Sequence, residues 1–223
     1  AEAPLARAIT LALRTGLLHR AEQWLTEYDR LLEAMNVPAG DERRARSFLL
    51  HADHERLRWR FNEAEHHGGR ALGLSQRYGF DDITGRALMV MTNVLRQRDR
   101  MEDAARVGTM ALDHYARRSD EAGIARAELS LAIIGRVTGN LDDARRHYEQ
   151  ARKAFEATTD RRGAASCVLG LGHIARAERR LDAARERYLH AASQFRQLRM
   201  LQDELQALNG LAEVARFGGA LEE

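Results

Sequence analysis

Arginines recur at one fixed position along the chain. The first set, which we call the arginine ladder, is spaced 40 residues apart and comprises Arg56, Arg96, Arg136, Arg176 and Arg216. A second set lies ten residues before three of these and comprises Arg46, Arg86 and Arg126. On a helix, ten residues leave two positions within about 80° of each other, so both sets point toward one face. Guanidinium groups bind carboxylates and phosphates bidentately, and the pattern predicts an anion-binding surface.

Hydrogen-bonding residues lie among these arginines. We predict Asn93, His173 and Asn209 as further binding residues, because they occupy positions between the two arginine sets. A second interpretation stays open, in which the ladder is a solvated stripe paired with nearby acidic residues. The nearby carboxylates are those of Glu55, Asp99 and Glu178.

Other candidate chemistry is weaker. The run from Gly170 to Ala175 matches the dinucleotide fingerprint, but it lies inside a predicted helix and not in a turn between a strand and a helix. Cys167 reads as a small buried residue. The histidine cluster His51, His54, His66 and His67 allows a zinc site on paper, but surface or groove histidines are the favoured interpretation. We therefore predict no enzyme activity, no metal and no cofactor.

An internal repeat positions all of these residues. The segment from Gly139 to Phe155 recurs 40 residues later and 40 and 80 residues earlier without gaps. Each unit contains two stretches with helical apolar spacing, separated by a short break, so each predicts an antiparallel helix pair. The repeats run about 4–35, 41–78, 81–118, 121–158 and 161–198, followed by an unpaired helix at about 201–218. The first offset is 43, and its excess falls in the turn at 36–40.

The repeat resembles the tetratricopeptide repeat (TPR) family over essentially the whole chain. The fifth unit carries the family pattern, with Val168, Leu171, Gly172 and Ala175 on its first helix and Ala184, Tyr188 and Ala191 on its second. The period is 40 and not the usual 34, and the proline that closes each repeat is absent. The resemblance implies an all-α right-handed solenoid whose first helices, here called front helices, line a concave groove that contains the ladder. Long repeats of this kind are similar to sensor regions of bacterial multidomain regulators.

Composition bounds the remaining classes. The chain has 223 residues, a formal net charge of +2 and one cysteine. So small a charge, without an aromatic ladder for stacking bases, argues against nucleic acid as a direct partner. The longest apolar runs are too short for a membrane span, and a single cysteine favours a reducing, cytoplasmic compartment. The chain stops where a sixth back helix would start, at Leu221, so we expect a fragment of a longer protein.

These observations predict one domain over residues 1–223 that binds without catalysing. We expect a scaffold or sensor module of a bacterial serine/threonine kinase or transcription regulator, with an acidic protein or peptide as its partner. One alternative is a small-effector sensor of a signalling ATPase or transcription activator, with a closed recess near Gly68 and Gly108. Another is self-assembly, in which the last helix forms a homodimer through a face carrying Leu205, Leu208, Leu211 and Val214.

Overall fold

The computed structural model describes residues 2–219, and these form eleven α-helices and no strand. The all-α prediction is confirmed. The helices are α1 (Glu2–Arg14), α2 (Leu18–Ala34), α3 (Glu42–Leu57), α4 (Phe61–Tyr78), α5 (Asp81–Gln97), α6 (Met101–Arg117), α7 (Glu121–Val137), α8 (Leu141–Ala157), α9 (Arg161–Ala177), α10 (Leu181–Gln197) and α11 (Leu201–Gly219). Within residues 2–219, no helix combines the length and apolar character that crossing a bilayer requires.

The predicted helix pairs agree closely with the structure. From α2 onward, no helix begins or ends more than two residues from its predicted bound, whereas α1 begins three residues earlier, at Glu2. The longer turn between α2 and α3 buries Val37 and ends at Asp41, whose side chain accepts a hydrogen bond from the Arg43 amide and caps α3. The expected start of a sixth back helix falls on residues 220–223, which lie outside the described residues.

The turns have a backbone period that their side chains do not show. A residue with positive φ ends every turn at 20-residue intervals from 59 to 199. These residues are Trp59, Gly79, Asp99, Ser119, Gly139, Thr159, Arg179 and Arg199. Only two of the eight are glycine, although the left-handed region disfavours other residues by roughly 1–2 kcal/mol. The helix packing therefore imposes the turn geometry on unfavourable residues.

The chain divides into two compact units, residues 1–111 and 112–223, and the division falls within α6. Unit 1 contains α1 to α5 and unit 2 contains α7 to α11. The predicted single domain stays a prediction. Each unit holds two apolar clusters, and each cluster joins a helix pair to the front helix that follows it. A repeat therefore completes its core only with its neighbour, as solenoid packing requires.

Small residues mark the points where paired helices cross. The alanines of the repeat pattern are all fully buried, at 0% exposure: Ala64, Ala71, Ala104, Ala111, Ala144, Ala151, Ala184 and Ala191. At one crossing, a Cβ added to Gly135 would lie 3.3 Å from the Ala144 Cβ. The helices of a pair therefore approach within the reach of a methyl group.

Aromatic rings on glycines connect successive repeats in unit 2. A Cβ added to Gly170 of α9 would lie 2.3 Å from the Tyr148 ring of α8, and one added to Gly210 of α11 would lie 2.6 Å from the Tyr188 ring of α10. In the same way, the Phe155 ring covers Gly163, where an added Cβ would lie 2.4 Å away. Each ring thus occupies the space that a side chain on the next front helix would need. These glycines are required by packing and not by backbone conformation.

The last helix only partly follows the prediction. Leu205 and Leu208 are exposed, at 49% and 37%. Val214 is buried and Leu211 packs beside it in the cluster formed with α9 and α10, so the prediction that these two lie on an uncovered face is wrong. The α10 helix covers the side of α11 that carries them. The predicted homodimer through α11 stays a prediction.

Two glycine substitutions should change the free energy of unfolding in opposite directions. An alanine Cβ at Gly69 of α4 would meet nothing within 4 Å. Gly69→Ala should therefore stabilise the protein by about 1 kcal/mol through helix propensity alone. Gly170→Ala gains the same propensity but displaces the Tyr148 ring, and it should destabilise by about 1–3 kcal/mol. Urea unfolding measures both, and equal stabilisation by the two variants would contradict the packing described here.

Candidate functional site

The arginine ladder occupies the last turn of each front helix. Arg56 and Arg96 lie near the C-termini of α3 and α5 in unit 1, and Arg136, Arg176 and Arg216 lie near the C-termini of α7, α9 and α11 in unit 2. A cation there interacts favourably with the helix dipole, by about 0.3–1 kcal/mol. Helix stability alone therefore favours arginine at this position, and a binding role needs further contacts.

Unit 2 provides such contacts. The front helix α9 contacts both α7 and α11. On α9, Arg176 Nε donates to the Tyr188 hydroxyl of α10 at 3.3 Å, and Arg176 Nη1 lies 3.0 Å from Glu213 Oε2 of α11. The Tyr188 hydroxyl also lies 2.8 Å from His173 Nδ1. We call Arg136, His173, Arg176, Tyr188 and Glu213 the unit 2 cluster.

The hydrogen bonds of the cluster determine the protonation of His173. Because an arginine can only donate, the Tyr188 hydroxyl accepts from Arg176 and uses its own proton to donate to His173 Nδ1. His173 is then a neutral imidazole with its proton on Nε2. Burial, followed by the charges of Arg136 and Arg176, lowers the pKa of His173 to about 4. The imidazole therefore stays neutral at physiological pH and keeps an N–H donor.

Arg136 is the second cation of the cluster. It is partly buried on α7, and its charge acts on both His173 and Tyr188, whose pKa values it lowers. Its Nε is buried without a hydrogen-bond partner among residues 2–219. An unfilled buried donor is costly, so a bound anion that accepts from this group would be favoured.

The predicted site residues of unit 1 remain bound to their own helices. Arg56 donates twice to Asp53 Oδ1, at 3.0 Å from Nε and 2.7 Å from Nη2. Arg96 Nη2 lies 3.5 Å from Asn93 Oδ1 on the same helix. Arg46 forms an ion pair with Glu42, and Arg86 is exposed on α5.

The other predicted residues of unit 2 lie outside the cluster. Arg126 of α7 and Asn209 of α11 are exposed. Arg216 is exposed as well, with its guanidinium carbon 5.6 Å from the centre of the Phe217 ring. Of the predicted set, the structure thus brings together Arg136, His173 and Arg176.

The expected acidic neighbours of the ladder are wrong in two cases. Glu55 pairs with Arg60, and Glu178 pairs with Arg145 and Arg180, none of which belongs to the ladder. The carboxylates on ladder arginines are those of Asp53 and Glu213, which lie one helical turn before a ladder position. The ladder is therefore partly neutralised, and the expectation of a uniformly basic groove is wrong for Arg56 and Arg176.

Sequence reasoning missed the hydroxyl of Tyr188 and the ion pair of Glu213. Tyr188 matches the family's packing aromatic, so its pattern signals only a buried ring. The available signal for Glu213 was its position three residues before Arg216, equivalent to that of His173 before Arg176. That position could not show that its carboxylate reaches the preceding front helix.

The remaining candidates have structural partners. His51 Nε2 lies 2.8 Å from Asp29 Oδ2, and His54 is buried with Nε2 3.3 Å from the Leu18 carbonyl oxygen, so it is not a surface histidine. No group of three or more possible metal-binding side chains comes together within residues 2–219. Cys167 is buried, as predicted, and burial raises the pKa of its thiol to about 12. Gly170 lies mid-helix in α9 against an aromatic ring, as a packing residue does.

The recess expected near Gly68 is filled. A Cβ added to Gly68 would lie 2.5 Å from the Met91 sulfur, which confirms packing at that position. An open cleft of about 480 Å³ lies farther along α4, where the Arg70 guanidinium carbon sits 4.0 Å from the centre of the Phe48 ring. Leu74 and Val37 form apolar parts of its wall. The small-effector alternative depends on this cleft and stays a prediction.

Comparisons with known proteins extend the fold assignment. No protein-family model and no curated protein matches the chain. Among solved structures, the apo form of RapI is 15% identical with a TM-score of 0.73, over 88% of this chain and 70% of that one. A Rap protein complexed with Competence and Sporulation Factor is 16% identical with a TM-score of 0.81, over 97% of this chain and 63% of that one.

A third similar structure is a Signal Transduction ATPase with Numerous Domains, with a tetratricopeptide repeat sensor, from Pyrococcus horikoshii. It is 16% identical with a TM-score of 0.69, over 96% of this chain and 33% of that one. The chain therefore spans a third of that protein and less than two thirds of the complexed Rap protein. At these identities the likeness shows the fold, which is a TPR-like helical solenoid.

The neutral His173 should make stability depend on pH. The unfolded chain protonates this histidine below the ordinary histidine pKa of 6.5, whereas the folded chain does so only near 4. The unfolded state thus binds more protons between these values, and the free energy of unfolding should fall as pH drops from about 6.5 to about 4, by at most about 3 kcal/mol.

His173→Gln should remove this contribution. Carboxylates with lowered pKa, such as Asp29 and Glu178, titrate equally in both proteins and cancel in the difference. Urea unfolding from pH 8 to pH 4 should show a stability difference that is constant above pH 7 and changes below pH 6.5. A difference independent of pH would mean that His173 binds protons equally in both states.

Proposed function

We propose that the chain is a non-catalytic binding module whose unit 2 cluster takes an acidic segment of a partner protein. In this proposal the chain serves as a scaffold or sensor region of a larger bacterial regulator, such as a serine/threonine kinase or a transcription regulator. The similar structures support a binding role, since one was solved in complex with Competence and Sporulation Factor and another carries its repeats as a sensor.

The observation that carries the proposal is the convergence of donors from neighbouring front helices. Arg136 on α7 has a buried, unfilled Nε donor, and His173 and Arg176 on α9 add an imidazole N–H and a guanidinium. Since His173 is neutral, two guanidiniums and the Glu213 carboxylate leave one net positive charge in the cluster. Such a set of donors suits the side-chain carboxylate of Asp or Glu.

Arginine geometry favours a peptide over a diffuse polyanion. The guanidinium of Arg176 is held through Nε by a tyrosine that is itself fully buried, so little conformational entropy is lost on binding. A preorganised planar fork recognises carboxylate oxygens in a defined orientation. The single rigid cluster therefore anchors one acidic side chain, and the rest of the segment contributes through the flanking front-helix surface.

Removing the two cluster arginines should weaken binding of a Glu-rich peptide. The double variant Arg136→Gln, Arg176→Gln should lose roughly tenfold or more in affinity, because two charge-assisted contacts are lost. Its affinity should also depend less on salt than that of the wild type. Fluorescence anisotropy with a fluorescein-labelled Glu-rich peptide at two salt concentrations measures both effects.

The matched control removes the same charge elsewhere in unit 2. Arg146 and Arg185 are exposed on the back helices α8 and α10. The double variant Arg146→Gln, Arg185→Gln should bind the peptide like the wild type, apart from the small effect of net charge. If both double variants lose affinity equally, the attraction is general electrostatics and the unit 2 cluster is not the binding site.

A further inference from the structure

We propose that Glu213 occupies the place of the partner's carboxylate, so that an acidic segment binds by displacing Glu213 from Arg176. This inference rests on the proposed function and adds to it a built-in competitor. The partner's Asp or Glu side chain would take over the ion pair that α11 now supplies. The cluster would then exchange one carboxylate for another without any change in the buried packing beneath it.

The geometry matches a carboxylate position. Glu213 Oε2 lies 3.0 Å from Arg176 Nη1, which is the distance of a charge-assisted hydrogen bond. Arg176 uses its Nε for the Tyr188 hydroxyl, so its Nη groups are the ones that an incoming anion can reach. Glu213 is supplied by a different helix from Arg176, as a partner's side chain would be.

The pair is weak enough to exchange. The Glu213 side chain is 45% exposed and that of Arg176 is 30% exposed, so the ion pair lies at the solvent edge of the cluster. Exposed pairs of this kind contribute little to stability. Displacing Glu213 should therefore cost the partner only a small factor in affinity, about two- to fivefold.

The other members of the cluster are held in place during the exchange. Tyr188 is fully buried, and its ring lies against Gly172 and Gly210 on the flanking front helices. Its hydroxyl holds Arg176 Nε and His173 together. The mobile element of the exchange is thus the Glu213 side chain alone, and the receiving guanidinium is already oriented.

The chain offers a matched control on the same helix. Glu204 of α11 also pairs with an arginine of unit 2, at 2.7 Å, but that arginine is Arg196 near the end of α10 and lies outside the cluster. Glu204→Gln removes the same negative charge from the same helix as Glu213→Gln. Any effect of net charge alone is therefore equal in the two variants.

The experiment compares affinities for a fluorescein-labelled Glu-rich peptide. Glu213→Gln should bind about two- to fivefold more tightly than the wild type, because the internal competitor is gone, and Glu204→Gln should bind like the wild type. Circular dichroism and thermal unfolding confirm that both variants are folded. Binding detectable only with Glu213→Gln would also support the proposal.

Two results would overturn it, and they separate this inference from the proposed function. If wild-type binding depends on Arg136 and Arg176 but Glu213→Gln binds no more tightly than Glu204→Gln, Glu213 is not a competitor and the proposed function stands. If neither the wild type nor Glu213→Gln binds the peptide, the proposed function is wrong and the competitor role falls with it.

Discussion

Aromatic rings lying on glycines are the packing contacts on which unit 2 depends. The Tyr148 ring needs the space left by Gly170, and the Tyr188 ring needs the space left by Gly210. Each contact joins a back helix to the next front helix, so it fixes the distance between successive repeats. With alanines at the crossings inside each pair, neighbouring helices can approach only where side chains are absent or small.

The same contacts carry the candidate chemistry. Tyr188 is buried between glycines of α9 and α11, and its hydroxyl is the polar end of a ring that cannot move freely. That hydroxyl holds Arg176 and keeps His173 in one tautomer, which leaves donors for an anion on the adjacent front helices. The recognition surface thus inherits its rigidity from the core. Unit 1 has Gly68 where unit 2 has these tyrosines, and its ladder arginines bind side chains of their own helices.

Much of the fold follows from the sequence because the repeat places alanine and apolar residues at the same helical positions in every unit. The turns were harder to predict, since positive φ falls on residues such as Trp59 and Thr159 that give no local signal. In the site, the positions of the arginines follow from the period, and three of the predicted residues meet in the cluster. Their partners do not follow, because the reach of the Glu213 carboxylate and the direction of the Tyr188 hydroxyl depend on contacts between helices far apart in the sequence.

The central claim is that a carboxylate binds beside His173. The most direct measurement is the NMR titration of the histidine rings with and without a Glu-rich peptide. A bound anion next to Arg136 and Arg176 would offset their charges, so the pKa of His173 should rise from about 4 on binding, while the resonances of the exposed His190 on α10 should not change. Peptide binding that leaves the His173 resonances and its pKa unchanged would contradict the account.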